Sequence, residues 1–225
     1  MNKTVPLSFS LVKTFENCPF KARHTTKSLG GRYLFQPTPA TELGNRMHKA
    51  FEDYIAHDVP LPDEFKRHEY FMQKLKEIPG KKTCEFRMAL NWKQEQVDYF
   101  KGKDLWLRGQ YDLMIQPNES VGIMIDYKTG KSKYPDLEQL QCMSMMAFHF
   151  FPNLQKVQGT LIFVEDNYKT FKETFTRDKM GSYVEDWKNR TIPVIQALNT
   201  NTWQPKENPL CAWCPVVECP FNKKG

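Results

Sequence analysis

A chain of 225 residues with 40% apolar and 13% aromatic residues can build a core of its own and carries too many rings for a disordered polymer. Its formal net charge of +6 suits an anionic partner without naming one, and no run of about 20 apolar residues is present to span a bilayer. The opening MNKTVPLSFSLVKTFENCPF lacks an apolar signal segment, so the six cysteines are expected as thiols or metal ligands in a reducing cytoplasm, not as disulfides.

The pattern predicts a short helix over 8–17, then a basic, glycine-containing stretch to Gly31. Residues 42–57 place Leu43, Met47, Ala50, Phe51, Tyr54 and Ile55 on one face of an amphipathic helix. A second helix is expected from Pro62, a good first-turn residue, to just before Pro79-Gly80. Strand-like runs follow at 83–91, 105–116 and 121–128. Residues 136–150 are apolar nearly all round and read as a buried helix. Strands near 157–165 and 169–176, a helix near 178–199 and an irregular tail rich in Pro and Cys complete the chain. With no repeat or Gly/Ser linker, one α/β (α+β) domain over residues 1–225 is expected, with a mixed central sheet flanked by helices.

The stretch LWLRGQYDLMIQPNESVGIMIDYKTGK, residues 105–131, carries the chemistry. Paired as a hairpin about Pro117–Ser120, it sets Tyr111 opposite Tyr127, Leu113 opposite Ile125 and Ile115 opposite Ile123 on an apolar face. The other face then pairs Gln110 with Lys128, Asp112 with Asp126 and Met114 with Met124. Two carboxylates about 5 Å apart repel unless a cation sits between them, and a hard divalent ion meets that need. Glu85, in the first strand, could be a further acidic contributor, but a solvated strand residue is the preferred reading.

Cys211-x2-Cys214-x4-Cys219 is compact, lies in a Pro-rich tail and has the spacing of a metal site. A tetrahedral site needs a fourth thiolate. Cys84 and Cys142 fall in a strand edge and an apolar helix, where thiols behave as small hydrophobes. Cys18, before Pro19 in an irregular and exposed context, is the better fourth ligand, so that 1–31 and 203–225 form one cysteine region.

Gly109-Gln110-Tyr111-Asp112 followed by Asp126-Tyr127-Lys128-Thr129-Gly130 resembles the G-x-x-D and D-x-K-T-G motifs of the PD-(D/E)XK nuclease superfamily, in its RecB-like branch. The resemblance implies a restriction-endonuclease-like core in which Asp112 and Asp126 bind Mg2+ or Mn2+ and Lys128 activates or orients the attacking water. That branch carries a histidine in a G-x-x-x-H pattern, matched here by Gly44 to His48, with Glu52 one turn on. A helical wheel sets His48 at the edge of the apolar stripe, facing the sheet, and an imidazole ligand favours Mn2+ over Mg2+. His24, His57, His68 and His149 read as surface or structural residues.

Ser8-Phe9-Ser10 to Phe15-Glu16-Asn17-Cys18-Pro19 is similar to the opening of the iron–sulfur members of that branch, which include AddB-type subunits and CRISPR-associated exonucleases. The resemblance implies a [4Fe–4S] cluster on Cys18, Cys211, Cys214 and Cys219 that joins the two ends of the chain; Zn2+ on the same thiolates is the alternative. The family's Q-x-x-x-Y motif is incomplete, since Gln139 is followed by Met143 where tyrosine would stand, and Met143, Met145 and Met146 read as core.

The expected function is metal-dependent hydrolysis of DNA phosphodiesters, acting as an exonuclease on single strands or duplex ends. His48, Asp112, Asp126 and the Tyr127 carbonyl would hold the ion, and Gln139 would steady the water or a phosphate. Lys21, Arg23, Lys27, Arg32, Lys131 and Lys133 would track the DNA backbone, with no membrane partner expected. The rival reading is an inactive DNA-binding module that keeps the fold and the cysteine site.

Overall fold

The computed structural model describes residues 4–223. Among them the chain forms α1 (Phe9–Asn17), α2 (Pro19–Thr25), α3 (Pro39–His57), α4 (Glu69–Glu77), β1 (Lys81–Asn91), β2 (Leu105–Asn118), β3 (Val121–Lys128), α5 (Glu138–Phe150), β4 (Lys156–Phe163), β5 (Lys169–Thr176) and α6 (Met180–Thr200). This is an α+β fold around a mixed sheet, as the sequence pattern predicts. No helix among the described residues is long and apolar enough to cross a membrane.

The strands form one five-stranded sheet in the order β1-β2-β3-β4-β5. β3 pairs antiparallel with β2 and parallel with β4, and β4 pairs antiparallel with β5. The parallel β3–β4 step needs a long connection, which α5 supplies. The chain divides into two compact units, one of residues 37–88 and 109–183, the other of residues 1–36, 89–108 and 184–225.

In the first unit, α3 begins at a capping box between Thr38 and Thr41 with Pro39 in its first turn. Its stripe of Met47, Ala50, Phe51 and Ile55 is buried against Leu113, Ile115, Ile125, Tyr127 and Ile162 of the sheet, with Phe65 and Met72. α5 is buried nearly all round, from Leu140 through Phe148. It lies so close to the sheet that a Cβ on Gly159 would come 2.9 Å from the Leu140 Cβ. The helix expected from Pro62 is instead a 3-10 segment, Asp63–His68, followed by α4. His68 ends that segment buried, within 2.8 Å of the Tyr168 hydroxyl, which fits a structural role.

Gly80 enters β1 at φ 129°, and a Cβ there would stand 2.4 Å from the Gln116 carbonyl oxygen. Neither the dihedral nor the backbone neighbour can give way, so Gly80→Ala should cost about 2 kcal/mol or more and lower the melting temperature by roughly 4–8 °C. Gly181, near the start of α6, has nothing within 4 Å of its would-be Cβ. Gly181→Ala should therefore stabilise by about 0.5–1 kcal/mol through helix propensity, and thermal melts of the two variants should move in opposite directions.

In the second unit, Ser8 caps α1 by accepting the Leu11 N–H at 3.3 Å. Residues 19–25, expected as irregular, form α2: Pro19 takes its first turn and the Cys18 sulfur accepts the Lys21 N–H. Leu7 pairs with Leu107, and the buried Trp106 indole donates to Thr191 Oγ1 at 2.9 Å. Glu16 takes both arms of Arg190, whose guanidinium lies 4.3 Å over the Trp187 ring.

Candidate active site

β2 and β3 hold the register read from the sequence at Leu113↔Ile125, Met114↔Met124 and Ile115↔Ile123; towards the turn it shifts, so that Asn118 pairs with Val121, and no pair is registered beyond Leu113↔Ile125. Beyond it the Tyr127 N–H donates to the Asp112 carboxylate, Oδ2, at 2.6 Å. A side chain has replaced a rung of the ladder. The expected pairings of Asp112 with Asp126, Tyr111 with Tyr127 and Gln110 with Lys128 are thus absent from the register.

The cause is a slip in alternation. Gly109 lies against Met143 of α5, and Tyr111 stacks on Phe86, whose ring touches Phe150. Gln110 and Asp112 line a cleft with His48 of α3, yet Leu113 and Ile115 also pack on the α3 side. Two consecutive residues, Asp112 and Leu113, therefore share a face. β1 does the same: Cys84 packs against the α3 cluster while Glu85, at φ 49°, lines the cleft with His48. Such irregularities re-aim strand side chains and gather beside functional sites.

Re-aimed in this way, Asp112 and Glu85 meet the histidine helix. His48 Nδ1 lies 3.2 Å from Asp112 Oδ1, and ligand atoms of His48, Glu85 and Asp112 all fall within 4.8 Å of one another. They open on a cleft of about 330 Å³ that Asn45, Lys49, Glu52 and Gln110 also line. Gln110 accepts from Arg87 at 3.1 Å and donates to Glu85, which fixes the carboxylate from behind. Glu85 is half-buried, not the solvated residue expected. Its role was hidden because nothing in an alternating strand announces a left-handed residue.

Asp126 faces the other helix. Its Oδ1 accepts from Gln139 Nε2 at 2.7 Å, and its Oδ2 forms an ion pair with Lys128 Nζ at 2.6 Å. Lys128 Nζ also donates to Gln139 Oε1 at 2.7 Å, closing a triangle of acid, amine and amide. Gln139 thus holds both charged groups by its two amide ends. Met143, in the place of the family's tyrosine, is buried over Gly109, and Met145 and Met146 are buried too.

The electrostatics are those of a site short of positive charge. Burial and the Asp112 carboxylate push Asp126 up to about 6 against the pull of Lys128. Burial, again with the Asp112 charge, raises Glu85. Burial works against the charged form of His48, but its contact with Asp112 and the charges of Asp112, Asp126 and Glu85 prevail and raise its pKa. Acids and an imidazole whose pKa values are raised by the same cluster mark a place where a cation would be welcome.

The donor set fits a divalent ion. Adjacent ligands of an octahedral Mg2+ or Mn2+ at about 2.1 Å lie roughly 3 Å apart, close to the 3.2 Å between His48 and Asp112. One nitrogen among carboxylates accommodates Mn2+ more readily than Mg2+.

The cysteines of both ends also come together within their own unit. Cys18, Cys211, Cys214 and Cys219 line one small cavity. Cys18 is buried, not exposed as its sequence context suggested, and its sulfur accepts the backbone N–H groups of Lys21 and Lys206, each at 3.4 Å. The Asn208 N–H points at the Cys211 sulfur at 3.4 Å. Cys142 is buried in α5, and burial raises the Cys84 thiol to about 11, which suits an inert core role for both.

Among solved structures, one named "Putative exonuclease" from Eubacterium rectale matches with a TM-score of 0.54 at 12% identity, covering 95% of this chain and 88% of that one. That of SSO0001 matches with a TM-score of 0.46 at 15% identity, covering 99% of this chain and 89% of the other. No curated protein matches it in sequence. The family model of the PD-(D/E)XK nuclease superfamily matches residues 6–219. A match of that extent is decisive, and the chain belongs to the PD-(D/E)XK nuclease superfamily.

Proposed function

We propose that the protein is a divalent-metal-dependent deoxyribonuclease of the RecB-like kind, acting as an exonuclease on single strands or duplex ends. The observation that carries this is the convergence of His48, Glu85 and Asp112 within 4.8 Å, together with the Asp126–Lys128–Gln139 triangle built on a buried Asp126. His48, Asp112 and Asp126, with the Tyr127 carbonyl between them on β3, would hold the ion, and Glu85 joins the set by position. Once bound, a divalent cation supplies a Lewis acid for the phosphate and lowers the pKa of its water.

The chain's own groups do the rest. Asp126 and Gln139 keep the Lys128 amine from swinging away, so that it can orient a water and, once it has given up its own proton, take up one from that water. The backbone N–H of Tyr127 fixes Asp112 in the orientation that also reaches His48. Lys131 and Lys133, just past β3, carry charge to the phosphate backbone.

The four clustered cysteines support a metal staple as well. A single tetrahedral Zn2+ with bonds near 2.3 Å would draw its sulfurs to roughly 3.8 Å apart. Among the described residues no three of these sulfurs lie within 4.8 Å of one another. The family resemblance is what favours a [4Fe–4S] cluster here, and Zn2+ on the same four thiolates is the alternative.

The deciding assay is a panel of circular and linear, single- and double-stranded DNA with either end blocked, in Mn2+ or Mg2+. Loss of linear DNA from free ends, with circles spared and EDTA blocking it, is the expected result. If every substrate survives both metals, the protein is the inactive binding module.

Metal affinity should also depend on pH. The raised His48, Glu85 and Asp126 must shed protons to become ligands, so Mn2+ binding strengthens as pH rises and weakens as pH falls through about 6, where Asp126 takes up its proton. Calorimetry in two buffers of different ionisation enthalpy should register proton release on binding.

A further inference from the structure

The unit that holds the cysteines has a second large concavity, of about 980 Å³, far from lean in chemistry. Lys21, Lys27 and Arg32 line it together with Tyr33, Phe35 and Trp213. None of the described residues lining it is acidic, and Ser10, Thr14, Thr25 and Thr26 add hydroxyls to its wall. Phe35 is 68% exposed and Trp213 72%, so folding gains little from either ring where it stands. Tyr33 is held by its hydroxyl, which donates to Glu218, a carboxylate that also meets His24 at 3.3 Å. Trp213 is fixed by its place between Cys211 and Cys214 at the end of a 3-10 segment.

Cations interleaved with exposed rings are the chemistry of single-stranded nucleic acid. The amines and guanidinium take phosphates, and each ring offers a face on which an unpaired base can stack. A duplex offers no free base faces, and an acidic peptide would leave the rings without partners. We propose that this groove is a binding track for single-stranded DNA, with Trp213 and Phe35 as stacking platforms and Lys21, Lys27 and Arg32 as phosphate contacts. It builds on the nucleic-acid assignment made above, but it requires no hydrolysis.

Fluorescence anisotropy with labelled oligothymidylate in EDTA tests it, since no cleavage can occur there. Trp213→Ala and Phe35→Ala should each weaken binding about tenfold, the loss of one stacked base. Lys27→Ala with Arg32→Ala should flatten the log affinity against log salt by about 1.4, the share of two phosphates on a single strand. These side chains lie on the surface, and unchanged thermal melts would show that the fold is intact. A blunt duplex of equal length should bind more weakly and respond little to the ring substitutions. Unchanged oligothymidylate binding in all four substitutions, or tighter binding of oligouridylate than of oligothymidylate, would overturn the proposal. The substrate panel in Mn2+ is read separately, so a protein that cleaves while ignoring these substitutions refutes the groove alone.

Discussion

Asp126→Asn should lose DNA hydrolysis by about 10³-fold or more, in either metal, while melting at a higher temperature than the wild type in metal-free buffer. The first half follows from removing a charged ligand next to the water-activating amine. The second follows from the direction of the Asp126 shift. Its carboxyl is raised in the folded protein to about 6 by burial and by Asp112, so above that pH its ionisation is a burden on the native state. Asparagine keeps the oxygen that accepts from Gln139 and removes the charge. Lys128 retains Gln139 Oε1 as its acceptor. Melting is therefore read with EDTA present, and hydrolysis with Mn2+. A variant less stable than wild type in EDTA would mean that the Lys128 ion pair outweighs the crowding of acids.

Asp112→Asn should behave differently, because its carboxylate also completes the backbone by accepting the Tyr127 N–H. Activity falls by a similar factor, and because the substitution weakens the contacts to Tyr127 and His48, no gain in stability is expected. Lys128→Met removes the amine without touching the acids and should cost about 10²–10⁴-fold in rate, with metal binding retained. Together the three variants separate holding the ion from handling the proton.

Much of this site was legible in the sequence, and its failures share one origin. The bounds of β3 and β5, Val121–Lys128 and Lys169–Thr176, match the predicted runs. The central pairs of the hairpin keep the predicted register, since Leu113, Ile115 and Ile125 pack with the α3 cluster while Met114 and Met124 between them are buried too, so a one-residue slip would disrupt the packing of both sets. At Asp112–Leu113 and Cys84–Glu85 the backbone leaves the regular strand, and periodicity carries no information about where that happens. The same-face argument for Asp112 and Asp126 fails there, although the two acids still feel each other's charge. Glu85 reads in sequence as a solvated strand residue for the same reason. α2 was hidden for a different reason: residues 19–31 read in sequence only as a basic, glycine-containing stretch, when Cys18-Pro19 is a cap followed by a first-turn proline.

Removing the cysteine staple should have the largest effect on stability. If Cys18 and Cys211 are joined through one cluster, the link closes a loop of nearly the whole chain and removes about 4–5 kcal/mol of unfolded-state entropy on a disulfide-like scale. Cys211→Ser should then lower the melting temperature by roughly 8–20 °C and strip the bound metal. Cys142→Ser, a substitution in the buried face of α5, also destabilises but leaves metal content unchanged, which separates ligation from packing. Metal analysis and visible absorbance of anaerobically prepared protein identify the ion: iron with sulfide and a brown colour for the cluster, stoichiometric zinc for the alternative. Because Trp213 lies between two of these cysteines, the staple should also govern the groove, and Cys211→Ser should weaken oligothymidylate binding even in EDTA. A Cys211→Ser protein that melts with the wild type and carries the same metal would show that these thiols are only neighbours.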